Sequence, residues 1–347
     1  MKRIFYILLI AFPFLMSACH NQDWSFPDYK YTTVYFPYQA PVRTLVLGKD
    51  IYDNTLDNAH KCKIMATMGG VYNNNVDRIL HIEVDNSLCD NLKFDDASGD
   101  DVIAMPSNYY TLSSDKQLVI PADSIAGGIE VQLTDAFFAD PRSIKNTFVI
   151  PVRITSVENA DSILSGKSSM DNPDPRVAAD WTIVPKNYIL YGVKYVNPWN
   201  GSYLRRGVDD VKGNGGNSSM DTTIVYHQEY TVEDEVVTAR TLSMDEVSIA
   251  LKTVNKGDAT EMPFELRVKV DDSGKCTVTN PNSAGYTISG SGDFVENGDS
   301  WGGEKHDVMH LKYNVDFGTT THSFTDTLVI RDRNVKMETF TPYVVGN

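Results

Sequence analysis

Cysteine is scarce in this chain, with four in 347 residues. Apart from Cys19, the thiols of Cys62, Cys89 and Cys276 are odd in number and lack the C-x-x-C spacing, so neither a disulfide framework nor a zinc site is indicated. Cys62 falls in step with Ile64, Ala66 and Met68 on the apolar face of a strand, where a buried free thiol is expected, and a Cys62 to Cys89 bridge stays open. Positive charge is also short. Lysine and arginine total 31 against 46 acids, for a net charge of -15 and a pI of about 4.8. That balance argues against nucleic acid and anionic membrane surfaces as partners. Beyond the first residues no apolar run approaches the roughly 20 needed to span a bilayer. No repeat of about 20 to 50 residues is evident. Helical periodicity is almost missing, and only Asp245 to Thr253 fits a short helix.

The usual catalytic signatures are absent too. A glycosidase needs two carboxylates about 5 to 10 Å apart, one of them protonated. The Asp-x-x-Asp-x-Asp-x-Glu pattern of family 18 does not occur, and Asp95-Asp96 and Asp209-Asp210 read as solvated loop charge. There is no Gly-x-Ser-x-Gly elbow. Gly166-Lys167-Ser168 has the end of a phosphate loop, but Asp161 stands where its first glycine belongs and no helical run follows. His306 and His310 share a strand face, yet no third ligand accompanies them, so no metal is expected. No EF-hand spacing suggests calcium, and no cofactor is implied.

What is present begins at the N-terminus. Lys2 and Arg3 precede the apolar run Ile4 to Leu15, followed by Leu15-Met16-Ser17-Ala18-Cys19, which reads as a lipobox with small residues beside the cut. Residues 1–18 are then a signal peptide, Cys19 the lipidated first residue, and 19–30 a tether. Each buried methylene of an acyl chain contributes about 0.8 kcal/mol, so several chains form a lasting anchor. The residues after Cys19, His20-Asn21-Gln22-Asp23, contain one acid. They match an acidic surface-export signal poorly, so a periplasm-facing anchor stays open.

From Tyr31 onward the pattern has the period of two that marks strands. Leu80, Ile82 and Val84 alternate with polar neighbours, as do Ile129, Val131 and Leu133, while Phe148, Ile150, Val152 and Ile154 form one face of another run. Turn-rich pieces such as Gly69-Gly70 and Gly127-Gly128 separate them. Residues 31–160 therefore read as an antiparallel immunoglobulin-like β-sandwich of about seven strands. Pro37, Pro41, Pro121 and Pro151 are assigned to strand ends or edges. Residues 161–187 form a polar loop and linker, and 188–347 a C-terminal domain opening with Tyr188 to Tyr195. In it Leu266, Val268 and Val270 face Cys276 and Val278 across a hairpin. Met309, Leu311, Tyr313, Val315 and Phe317 line one face of a long strand. Strands in simple succession suit a lipocalin-like antiparallel β-barrel or meander, with a second sandwich as the alternative. The fold class is all-β.

Several stretches carry a family resemblance: Tyr35-Phe36-Pro37-Tyr38-Gln39, Pro41 to Gly48, Tyr52-Asp53-Asn54, Gly69-Gly70-Val71-Tyr72, Met105 to Tyr110 and Val131 to Pro141. They resemble the domain-of-unknown-function 1735 module of Bacteroidetes lipoproteins. Tyr195-Val196-Asn197 and Gly201 to Gly207 are similar to the start of the C-terminal domain that accompanies it. The resemblance covers nearly the whole mature chain. It implies a component of a polysaccharide-utilisation system: a non-catalytic, lipid-anchored protein of the outer membrane, displayed at the cell surface. Its partners would be a glycan or oligosaccharide and an outer-membrane glycan importer complex.

A sugar-binding role would rest on aromatics, because the C–H faces of pyranose rings stack on them. Trp301 stands beside Gly302-Gly303 in a loop, and Trp199 lies between Pro198 and Asn200-Gly201. With Tyr203 and Arg205 of the following strand they form the candidate ligand-binding set, placed in the C-terminal domain. A Trp opening a small barrel commonly plugs its end instead. Arg205 and Arg206 face opposite sides of a strand, so they do not act as a pair, and ion pairing at the domain interface is the expected use of them. Two other roles remain open: a structural or assembly subunit without a glycan ligand, and a hydrolase of unfamiliar type.

Overall fold

The computed structural model describes residues 31–346 except Ser283; the signal peptide, Cys19 and the tether lie outside the described residues. The chain is nearly all β, a sandwich followed by a barrel. The sandwich strands are β1 (Thr33–Tyr35), β2 (Pro41–Val46), β3 (Lys61–Gly69), β4 (Arg78–Val84), β5 (Leu92–Phe94), β6 (Ile103–Ala104), β7 (Tyr110–Leu112), β8 (Gln117–Ile120), β9 (Ala126–Leu133), β10 (Phe148–Glu158), β11 (Ser162–Ile163) and β12 (Tyr188–Val196). One sheet has the order β11-β1-β3-β9-β7, and β2, β12, β10, β4 and β8 neighbour one another in the second, with β6 also on β10. Their facing sides enclose a core that includes Phe36, Leu45, Ile64, Leu80, Ile129, Val131, Phe148, Ile150 and Tyr195. The sheets are not purely antiparallel, since β1 with β11, β2 with β12 and β6 with β10 run parallel.

Tyr188–Val196, the strand that opens the C-terminal domain in the sequence reading, pairs with β10 on one side and β2 on the other. The barrel begins after it. Its burial explains its composition: Tyr188, Ile189, Leu190, Tyr191, Val193 and Tyr195 are all buried, as expected of a strand covered on both faces. Pro151 likewise lies inside central β10 rather than at an edge. It is tolerated because β4 ends beside it, the last ladder pair being Val152 with Val84, and its carbonyl accepts from Asp85 N at 3.0 Å.

The barrel strands are β13 (Gly201–Gly213), β14 (Thr222–Tyr226), β15 (Glu235–Thr241), β16 (Glu246–Val254), β17 (Glu261–Val270), β18 (Lys275–Thr279), β19 (Thr287–Trp301), β20 (Glu304–Asp316) and β21 (Thr320–Asp332). They follow one another in order, and β21 returns to β13 to close eight strands into an antiparallel barrel, with β14 a ninth strand on the edge of β13. The hairpin pairs Val268 with Val278 and Val270 with Cys276. Glu246–Val254 is a strand, not the short helix the sequence suggests. Val247, Ile249, Leu251 and Thr253 alternate into the interior, and that period of two prevails over local helix propensity.

The last residues return to the sandwich. Strand β22 (Glu338–Thr339) pairs with β2, and β23 (Pro342–Val344) pairs with β5. Between them Phe340 packs edge-on against Phe94, with ring centroids 4.7 Å apart, over a second core that contains Val149, Leu190 and Cys89. Cys62, Cys89 and Cys276 carry free thiols, all buried, and burial pushes each up to about 12. Because the tail covers the outer side of the larger sandwich sheet, Phe340→Ala should destabilise the protein by about 3–5 kcal/mol, the usual cost of emptying a buried aromatic site. Denaturant unfolding followed by tryptophan fluorescence measures this; an unchanged midpoint would show the tail to be dispensable.

Candidate functional site at the domain junction

An eight-stranded barrel has an interior just wide enough for side chains to fill, and here they fill it. Tyr203, Leu266, Leu311, Tyr313 and Phe324 are buried within it, with Tyr313 and Phe324 stacked at 4.9 Å. The polar groups inside bind one another. Arg205, wholly buried, stands 3.1 Å from both Asp326 and Glu235, beneath the Tyr226 ring at 4.1 Å. Asp326 also accepts the Tyr313 hydroxyl at 2.6 Å. Burial works against the charge on Arg205, but Asp326 and Tyr313 more than offset it and its pKa is raised. Burial likewise leaves the Asp326 carboxyl above its ordinary range, despite Arg205 beside it. A second group joins His322 Nδ1 to Asp209 Oδ2 at 2.7 Å, and that carboxylate also accepts the Thr253 hydroxyl at 2.8 Å.

Three of the four sequence-derived ligand residues therefore belong to the barrel's own packing. Tyr203 is buried, and its hydroxyl donates to the Trp199 carbonyl at 2.8 Å. Trp199 packs edge-on against Phe294, with centroids 6.2 Å apart, and plugs that end of the barrel. Arg205 is an interior ion-pair partner, away from the domain interface, while Arg206 on the opposite face pairs with Asp234. Trp301 is half-buried. Its ring stacks on His306 at 4.8 Å and its indole N–H donates to the Ile330 carbonyl at 3.3 Å. Removing one partner of a buried ion pair leaves the other charge uncompensated. Arg205→Ala is accordingly expected to lower stability by about 3–5 kcal/mol, measured by chemical denaturation. A smaller loss, under about 1 kcal/mol, would place Arg205 outside the supporting structure.

His306 and Ile330 lead outward to a groove between the two domains. It has a volume of about 460 Å³ and is lined by Asp50, Ile51 and Tyr52 from the sandwich and by Asn297, Lys305, Asp307, Arg331 and Asp332 from the barrel. A recess of about 330 Å³ shares Asp50, Tyr52 and Val335 with it and extends to Asp53, Asn54, Lys336 and Met337. The wall at Tyr52 is a loop with a fixed base and a free tip. The Asn54 side chain donates to the Val46 and Gly48 carbonyls at 2.8 and 2.7 Å, and Asn58 grips Gly48 through both its N–H and its carbonyl. Gly48 has φ +82, and a Cβ there would come within 2.6 Å of Pro198, so only glycine lets the loop lie against the linker. Ile51 and Tyr52 at the tip are 89% and 75% exposed. An exposed tyrosine on a pinned loop is a ready stacking surface, and it is the residue the sequence analysis did not select. The signal was an Ile-Tyr pair set among Asp50, Asp53 and Asn54, which also reads as an ordinary loop.

Arg333 holds the groove together. Its guanidinium donates to four backbone carbonyls: Lys49 at 2.6 Å, Leu47 at 3.0 Å, Asn197 at 2.7 Å and Asn200 at 2.8 Å. Burial lowers its pKa from the ordinary arginine value, partly countered by Tyr203 and Asp50. At the rim Lys49 pairs with Glu296 of the barrel. Among the described residues no three His, Cys, Asp or Glu side chains converge on a possible metal position.

A solved structure of a Bacteroides ovatus protein, described as a structural-genomics protein of unknown function, matches this architecture with a TM-score of 0.85 and 41% identity, covering 92% of this chain and 100% of that one. This chain belongs to that Bacteroides family. The family model "Domain of unknown function (DUF5627)" matches residues 198–334, the barrel, and a model described as an N-terminal domain matches residues 29–161. A second Bacteroides ovatus protein of unknown function matches at 13% identity and a TM-score of 0.40, covering 90% of this chain and 99% of that one. An auxiliary nutrient binding protein from Bacteroides thetaiotaomicron matches at 13% identity and a TM-score of 0.35, covering 84% and 91%. No curated protein matches the chain.

Proposed function

We propose that this protein is a non-catalytic, lipid-anchored glycan-binding component of a polysaccharide-utilisation system, and that it presents its ligand to an outer-membrane importer. The narrower kinship of residues 31–160 with the 1735 module is part of that reading. The observation that carries it is the junction groove, where an exposed Tyr52 ring on a pinned loop stands over a concave wall of amide, carboxylate and cationic side chains. Protein sugar sites combine these elements: a ring face for the C–H surface of a pyranose and polar groups for its hydroxyls. Trp301 supports the site from behind, holding His306 and the Ile330 backbone in place.

We favour binding over hydrolysis. The groove carboxylates are held in place by backbone N–H groups: Asp50 accepts from Ile51 at 2.6 Å, Asp307 from Asn297 at 2.8 Å, Asp332 from Asn334 at 2.5 Å and Asp53 from Thr55 at 3.0 Å. For Asp53 the Thr55 hydroxyl and amide hold the carboxyl below its usual range.

A glycan array probed with protein lacking the signal and Cys19 tests the reading. Loss of a stacked ring costs roughly 1–3 kcal/mol, by analogy with aromatic stacking platforms. Tyr52→Ala should weaken binding about five- to hundredfold with an unchanged melting temperature. Full affinity in that variant would move the site elsewhere, and an array without hits would favour the structural-subunit reading. Attachment is tested separately: Cys19→Ala should abolish fatty-acid labelling and shift the protein from the membrane to the soluble fraction. Continued labelling would refute the lipobox assignment.

A further inference from the structure

We propose that the groove selects acidic glycans, those whose sugars carry carboxylate or sulfate groups; this rests on the glycan reading of the same site. Lys305 and Arg331 line the groove, and Lys336 lines the recess continuous with it. All three are exposed, and among the described residues their side chains make no ion pair or hydrogen bond. Other lysines are neutralised by a carboxylate, as Lys61, Lys93, Lys194, Lys212, Lys269 and Lys275 are, whereas these three stand at a concave site with their charges available to a ligand.

The groove and its recess also contain carboxylates, and none of them pairs with the three cations. Asp50, Asp53, Asp307 and Asp332 each turn an oxygen to a backbone amide, as described above. Asp57 is buried, accepts Val46 N at 2.9 Å and is paired with Arg43. Position reinforces the pattern. Arg331 sits at a bulge of β21, between Ile330 paired with Tyr203 and Asp332 paired with Ser202, and lines the same groove as His306, the ring stacked on Trp301. Lys305 follows the Trp301 turn, and Lys336 stands where the chain leaves the barrel for the sandwich. A chain of sugars stacked on Tyr52 would carry its anionic substituents toward cations on both sides of the ring.

The overall charge of -15 does not prevent this. At physiological ionic strength charges beyond about 8 Å are largely screened, so the distant acids of the chain weigh little on an anion held against Lys305, Arg331 and Lys336.

Calorimetric titration with three probes tests the inference: an oligogalacturonate for carboxylates, a chondroitin sulfate oligosaccharide for sulfates, and a neutral malto-oligosaccharide of similar length. Acidic probes should bind more tightly than the neutral one and should weaken as salt is added. The triple variant Lys305→Gln, Arg331→Gln, Lys336→Gln should lose roughly tenfold in affinity for them, three exposed charges each contributing modestly. A preference for only one acidic probe identifies the anionic group. If the neutral probe binds equally well in a Tyr52-dependent manner and the triple variant matches the native protein, acidic selectivity is overturned and the glycan reading stands. If no probe binds and an array also yields nothing, the glycan reading falls and this inference with it. All three positions are exposed, and a melting curve for each variant confirms that it folds.

Discussion

One guanidinium sets the relation between the two halves of this protein. Arg333 donates to the carbonyls of Leu47, Lys49, Asn197 and Asn200, which belong to the loop after β2, the linker and the start of the barrel. Four backbone acceptors that converge at a junction need a donor, because a buried carbonyl left unpaired costs free energy comparable to a lost hydrogen bond. A planar cation with five N–H groups satisfies all four at once, which an ammonium on a flexible stem cannot do. The floor of the groove is therefore a fixed surface. Asn197 extends it, its amide donating to the Ser243 and Glu246 carbonyls at 2.9 Å.

The solid barrel interior then decides where a ligand can go. Tyr203, Arg205, Tyr313, Phe324 and Asp326 occupy the space that a wider barrel would leave for a guest. Any ligand must therefore sit outside the barrel, and the junction offers concavity without hollowing out either core. This division also keeps the packed interior and the groove lining on different residues. Arg205 and Phe340 lie in packed interiors, whereas Ile51, Tyr52, Lys305 and Arg331 are exposed and contribute little to either core.

The path of the chain ties these parts together. Strand β12 ends the sandwich and leads through Asn197-Pro198 into the barrel, and the chain returns after Arg333 to add β22 and β23 to the sandwich. Both crossings pass the groove. The groove therefore has structural connections on two sides and is shared by both domains.

Much of this was legible in the residues. Alternation of two marked the strands, including the hairpin from Leu266 to Val278 and the long strand through Tyr313, because one buried face and one wet face leave that signature. The same rule put Arg205 and Arg206 on opposite sides. Where both faces are covered the signature vanishes, and Tyr188–Val196, assigned to the C-terminal domain from its own composition, belongs to the sandwich. Val247 to Thr253 was ambiguous because few residues separate the two periods. The site was less legible. Trp301 and Trp199 were noticeable as large aromatics between glycine and proline, but size draws such residues into packing as readily as toward a ligand. Local sequence determined the strands, the all-β class and the shortage of catalytic motifs, since each depends on neighbours along the chain. Only the tertiary structure decided which domain owns β12, that the barrel is filled, and that Tyr52 stands between a groove lined by Lys305 and Arg331 and a recess lined by Lys336. Those facts depend on contacts between residues up to nearly three hundred positions apart, such as Arg333 with Leu47, and no local pattern encodes which distant carbonyl a guanidinium will meet.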